Sequence, residues 1–162
     1  MVRILFVCMG GVCRSPLAEG ILQKLVEEAG LADRVLIDSA GTHPFHEGRP
    51  VDERTLLVAR ERGIDLSYKR ARQIGLGDFE QFDLILAADE QVYRTLLAMA
   101  PQRQRQKLGF LLDYAPHLKT RTIPDPYYGP EDHFYRVFDM IEDACRGLLE
   151  EIERRLSAAP SR

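Results

Sequence analysis

The chain has 162 residues, 45% of them hydrophobic and 29% charged, with a formal net charge of −3 at pH 7. This length fits one domain with a real core, and the charge, offset by no long basic stripe, argues against nucleic acid as the main partner. No apolar run is long enough to span a bilayer, and Met1-Val2-Arg3 opens directly into a strand pattern, so no secretory leader is expected. A cytoplasmic protein with no membrane association is expected.

Residues 3–7 read as a short buried strand, apolar on both faces as in a parallel sheet. Two glycines follow, Gly10 and Gly11, and then a helical pattern with Leu17, Ile21 and Leu25 on one face, ended by Gly30. Ser15 fits an N-cap with Pro16 at the first helical position. Arg34 to Asp38 reads as a second strand, leading into a loop from Ser39 to Pro50 that is rich in Gly, Pro and His. The spacing predicts a helix over 51–62 stopped at Gly63, a polar connection over 64–76, and a third strand over 82–87. Asp89 looks like the cap of a helix ending before Pro101. Residues 107–111 read as a fourth strand, weakened by Gly109. A loop with four prolines runs to Pro130, and an amphipathic helix spans 131–156. Strands alternating with helices predict an α/β domain over 1–157 with a parallel sheet covered on both faces. Residues 158–162 read as a disordered tail.

The stretch from Val7 to Glu19 carries the chemistry. A strand–loop–helix unit aims the loop N–H groups and the helix N-terminus at one point, which suits an anion. Cys8 opens that loop and Arg14 closes it, and an Arg fork matches phosphate oxygens two at a time. A thiol at the mouth of such a cup is favoured as thiolate, so Cys8 reads as a nucleophile under a phosphoryl group. Plainer alternatives are a packed core cysteine and half of a metal site. Cys145 is distant, however, and the histidines (His43, His46, His117, His133) show no ligand spacing. A nucleotide-binding loop would need a Gly-Lys-Ser/Thr that is absent. The odd number of cysteines, three, makes no disulfide framework.

Two motifs in order, Cys8-x5-Arg14-Ser15-Pro16 near the start and Asp125-Pro126-Tyr127-Tyr128-Gly129 far downstream, resemble those of the low-molecular-weight protein-tyrosine phosphatases. The resemblance runs from about Arg3 to the last helix. It implies a three-layer fold, a four-stranded parallel sheet with helices on both faces (phosphotyrosine phosphatase I-like, Rossmann-like). It also implies hydrolysis of tyrosine-phosphorylated protein or small aryl phosphates, without cofactor or metal. Cys8 would attack phosphorus and form a cysteinyl-phosphate. Full ionisation of a thiol gains only about 30-fold at pH 7, so the larger share falls to Arg14 and the loop donors. The backbone of Met9, Gly10, Gly11, Val12 and Cys13 would cradle the phosphoryl group, with Ser15 donating to the departing thiolate, and phosphate or sulfate would occupy the same loop. Asp125 would be the general acid, because phenolate leaves poorly without a proton; as a bare residue it is equally a turn aspartate before proline. Tyr127 and Tyr128 would wall the cleft on one side and Phe45 on the other. Asp89, Ser39 and Ala71-Arg72-Gln73 would shape the loop. Cys13 is either a small packing residue or a trap for oxidised Cys8.

The chain departs from the family pattern at both ends of one supporting contact. Gly11 stands where the family usually has Asn, and Tyr68-Lys69 where it often has a His. Three rivals follow. A protein-arginine phosphatase of the same fold favours a small polar residue where this chain has Val12, and lacks the tyrosine pair. The related arsenate reductases need two further cysteines near the third strand, and Leu84 to Asp89 contains none. A phosphate-binding module with weakened turnover would fit the change at Gly11.

Overall fold

The computed structural model describes residues 1–127 and 129–158; Tyr128 and residues 159–162 lie outside the described residues. The first strand, β1 (Val2–Cys8), lies inside a four-stranded sheet with β2 (Val35–Gly41), β3 (Leu84–Ala87) and β4 (Leu108–Phe110). The order is β2-β1-β3-β4 and every pairing is parallel, with Val2 to Cys8 against Val35 to Gly41 and Ile4 to Val7 against Leu84 to Ala87.

Alternation along β1 sends its side chains to two separate cores. Ile4, Phe6 and Cys8 join the larger one, packed by α1 (Arg14–Glu28), α2 (Glu53–Glu61) and the long α5 (Asp132–Ala158). Leu5 and Val7 join the smaller one, packed by Phe79 of α3 (Leu76–Gln81) and by Val92 and Leu96 of α4 (Glu90–Met99). The apolar run of β1 is thus consumed on both faces, and its C-terminal end projects the loop that begins at Cys8. That is the edge of a parallel sheet where ligands bind. The expected three-layer α/β architecture is observed. Among the described residues no helix is long and apolar enough to cross a membrane.

Several boundaries differ from expectation. The strand read as 34–38 runs on through Gly41, because its last residues pair with Val7 and Cys8 rather than entering a loop. The polar connection ends in α3, a six-residue helix nucleated by the Asp78 carboxylate, which accepts from the Gly75 N–H at 2.8 Å, and anchored by the buried Phe79. Ser15 is not the N-cap of α1. Cys13 occupies that place without a side-chain cap, and Pro16 is the third helical residue, where its missing N–H still costs nothing. Ala158, expected in the tail, is the last residue of α5.

Candidate active site

A loop that turns its N–H groups inward must turn its carbonyls outward, and outward carbonyls need donors. Two neighbouring segments supply three of them. The Thr42 N–H donates to Cys8 O at 2.9 Å, the His43 N–H to Met9 O at 3.0 Å, and the Asp52 N–H to Val12 O at 3.0 Å. Gly11 turns the chain with φ of +76°, a left-handed conformation that glycine adopts without a Cβ penalty. Its N–H thereby points at Cys8 Sγ, 3.2 Å away. Gly41, at the end of β2, lets the loop lie on the strand: a Cβ there would stand 2.8 Å from Met9 O and 2.9 Å from Gly11 N. With no side-chain cap and no acidic residue in its first turn, α1 leaves its N-terminal amides and the positive end of its dipole to the cup. The displacement of Ser15 from the cap has a use. Its Oγ lies 3.0 Å from Cys8 Sγ and donates to Ala40 O at 3.3 Å, so the hydroxyl proton has a resting partner and can turn to a thiolate.

Arg14 is 3% exposed and is held from behind. Its Nη1 donates to Asp89 Oδ2 and to the carbonyl of Ile123, both at 2.7 Å, while Nη2 stands 3.7 Å from Asp125 Oδ2. Burial works against the guanidinium charge, but the Cys8 sulfur, Asp89 and Asp125 outweigh it and lift its pKa above the ordinary value. Asp89 caps α4 as expected, its Oδ1 accepting from the Val92 N–H at 2.8 Å, and its other oxygen is the one that steadies Arg14.

Asp125 lies over this floor with its side chain 43% exposed, Oδ1 accepting from the Tyr127 N–H at 3.1 Å. The cavity between is about 90 Å³ and is lined by loop residues Cys8 to Gly10 and Val12 to Arg14 together with Phe45, His46, Asp125 and Tyr127. Pockets that enclose whole small molecules run to about 300–1,000 Å³, so this one takes a phosphoryl-sized group and leaves the rest of a ligand on the rim. The rim is aromatic. Phe45 is 62% exposed and stacks on His43 at 4.9 Å, and His46 lies 5.5 Å from the ring of Tyr127. Tyr128, expected beside it, lies outside the described residues. The other loop thiol, Cys13, is pushed well above the usual thiol range, by burial first and then by Asp52. It therefore stays protonated, and both loop cysteines are free thiols. Among the described residues no group of three or more His, Cys, Asp or Glu is gathered to hold a metal ion.

Behind β2 lies an ionic cluster built around Tyr68 and Lys69. Lys69 Nζ meets Asp38 at 2.6 Å, Glu19 at 3.0 Å and the carbonyl of Ser39 at 3.1 Å. Ser39 and Tyr68 both donate to Glu19, and Arg72 spans Asp38 and Asp78. Backbone bonds from Gly41 N–H to Arg72 O and from Ile74 N–H to Gly41 O lay the segment 71–74 along the end of the strand. Lys69 does not reach toward Gly11. It holds β2 at Asp38 and Ser39, just before the Ala40-Gly41 backbone that lies against Gly11.

Sequence reading missed His46, Gly41, Ile123 and Arg54. Gly41 sits in an ordinary-looking Ala-Gly-Thr run, and the Ile123 contact uses only a carbonyl, which no residue type announces. Arg54 was one of several arginines in a charged helix.

A family model described as low molecular weight phosphotyrosine protein phosphatase matches residues 3–158. The low molecular weight protein-tyrosine-phosphatase of Streptomyces coelicolor is 40% identical over 157 residues, covering 95% of each chain. A crystal structure of protein tyrosine phosphatase from Entamoeba histolytica, with Hepes in the active site, superposes with a TM-score of 0.91 at 39% identity, covering 95% of this chain and 98% of that one. A Vibrio vulnificus protein solved in complex with benzylphosphonate superposes with a TM-score of 0.80 at 27% identity, covering 93% and 98%.

Proposed function

Because the chain belongs to the low molecular weight phosphotyrosine protein phosphatase family, a family of protein-tyrosine phosphatases, we propose that residues 1–157 form one catalytic domain that hydrolyses aryl phosphate monoesters through a cysteinyl-phosphate on Cys8. The observation that carries the mechanism is the convergence on one sulfur. Cys8 Sγ has the Gly11 N–H at 3.2 Å, the Ser15 hydroxyl at 3.0 Å and the Arg14 guanidinium in the same buried cup.

In the first step the thiolate attacks phosphorus opposite the ester oxygen. The S–P bond forms, the P–O bond to the phenol breaks, and Asp125 gives its proton to the departing oxygen. The non-bridging oxygens lie against the N–H groups of Met9 to Arg14 and against the guanidinium, donors set before the reaction begins. In the second step Asp125, now a carboxylate, takes a proton from water as the water oxygen bonds to phosphorus. The S–P bond breaks, and Ser15 donates to the sulfur that leaves as thiolate. Orthophosphate is the product, and Asp125 has regained its proton. Phe45 and Tyr127 flank the phenyl ring, in keeping with a relative solved with benzylphosphonate. The substrate is a phosphotyrosine protein or a small aryl phosphate.

The test is hydrolysis of p-nitrophenyl phosphate by the parent and by Cys8→Ser, with chelator present. Turnover by the parent under chelation, absent from the variant, is expected. A parent that binds phosphate without turning over would make the chain a phosphate-binding module instead.

A further inference from the structure

The acid-bearing turn is closed on itself by the Gly129 N–H, which donates to Pro126 O at 3.0 Å. The Asp125 side chain is 43% exposed, and among the described residues its carboxylate accepts from the Tyr127 N–H at 3.1 Å. The carbonyls on either side of position 128 are gripped from another element. Arg54, in the first turn of α2, donates through Nη2 to Tyr127 O at 2.6 Å and through Nη1 to Gly129 O at 3.5 Å. The guanidinium is itself oriented. Asp52 meets its Nε and its Nη2 at 3.3 Å each, and its plane lies over the rings of Phe134 at 4.6 Å and Tyr127 at 5.7 Å. Asp52 also touches the floor of the site, because its N–H is the donor to Val12 O. The N-terminus of α2 therefore bonds to the phosphate loop through one residue and to the acid turn through another.

We propose that Arg54 is the positioning residue for Asp125, its guanidinium clamping the backbone of the turn at Tyr127 and Gly129 and so setting where the carboxylate stands above Cys8. This rests on the reading of Asp125 as the general acid. Arg54 does not line the cavity, and it reaches the reaction through the turn it holds: Asp125 with its proton, and the rim residue Tyr127, whose contact both aryl substrates share. A mispositioned acid costs most where the leaving oxygen needs that proton. Phenolate, with a conjugate acid near pKa 10, needs it far more than p-nitrophenolate.

The experiment compares kcat/KM for phenyl phosphate and p-nitrophenyl phosphate in the parent, Arg54→Gln, Arg54→Lys, Asp125→Asn and the Arg54→Gln/Asp125→Asn pair. Positioned acid catalysis contributes about 10²–10⁴-fold, and partial misplacement should forfeit about tenfold of it. Arg54→Gln should therefore slow phenyl phosphate about tenfold more than p-nitrophenyl phosphate, while the inhibition constant of inorganic phosphate stays at the parental value. Arg54→Lys, which keeps the charge and one carbonyl bond, should show the same selectivity to a smaller degree, and it carries the test if the glutamine variant does not fold. With Asp125→Asn already present, Arg54→Gln should add no further selectivity. Equal slowing of both substrates, a selective loss that persists without Asp125, or weakened phosphate inhibition would each overturn the proposal. Should Asp125→Asn itself spare phenyl phosphate, the acid reading falls and this proposal with it. A selective Asp125→Asn beside an unselective Arg54→Gln removes only the role of Arg54.

Discussion

Asp89 spends both carboxylate oxygens, one on Arg14 at 2.7 Å and the other on the N-terminus of α4 at 2.8 Å. In Asp89→Asn a single acceptor oxygen must serve one of them, and the amide nitrogen points a donor at the other. A hydrogen bond to a charged group contributes about 1.5–3 kcal/mol net, whereas a helix cap contributes about 1 kcal/mol. Either choice lowers stability, and for a chain of this size each 1 kcal/mol moves Tm by about 2–4 °C. If the cap keeps the oxygen, Arg14 retains only the Ile123 carbonyl behind it and loses its fixed plane. Forfeiting 3 kcal/mol of transition-state stabilisation corresponds to about a hundredfold in kcat/KM. The assay is p-nitrophenyl phosphate turnover beside melting curves with and without inorganic phosphate. Phosphate at a hundred times its Kd stabilises the parent by about 2.7 kcal/mol, and the same concentration should stabilise the variant much less. A variant that melts lower yet keeps parental kcat/KM and the full phosphate stabilisation would refute the link between Asp89 and the orientation of Arg14.

Gly11→Ala forces a Cβ into a left-handed turn at about 1–2 kcal/mol, with that Cβ only 3.2 Å from Gly41 N. Its melting point and its affinity for phosphate should both fall, and parental values of both would show that the loop does not need the conformation. Lys69→Met leaves the buried Glu19, and Asp38 beside it, without their ammonium; breaking such a pair costs about 3–5 kcal/mol. Burial works against the Asp38 charge, but Lys69, the Ser39 N–H and Arg72 outweigh it and hold its pKa below the usual carboxylate value. Its contribution is therefore complete above the unfolded value near 3.9 and is lost as pH falls through the lower folded one. Urea unfolding should find a large gap between parent and variant at neutral pH that narrows below about pH 4; a gap indifferent to pH would remove Asp38 from the account.

The parts of this protein that could be read from its sequence are those in which cause and consequence lie close together along the chain. The strand end, loop and helix start around Cys8 lie within one continuous stretch, Val7 to Glu19, whose residue types restrict the backbone, and the loop emerges where the pattern puts it. The alternation of strands and helices was enough for the sheet, because parallel strands buried on both faces are apolar throughout. Failures came where tertiary pairing overrode local preference. Ala40-Gly41 resembles a loop until β1 pairs with it, and α3 is too short to show a period. Ser15 looked like a cap because serine usually is one; its neighbour Cys8 gave it other work. Arg54 and Tyr127 are 73 residues apart, and no property of either residue reports the distance.

The floor and the rim of the small cavity answer to different chemistry, and that has a consequence for inhibition. A compound that fills only the cup meets backbone amides and one guanidinium, groups that any compact tetrahedral dianion satisfies equally well, orthophosphate included. Potency gained there is bought against the reaction's own product and carries no discrimination among enzymes built on the same cup. Discrimination has to come from a second moiety that leaves the cavity and lies along Phe45, His46 and Tyr127. A flat ring joined to a modest anion is the better starting point for a selective ligand than a stronger anion.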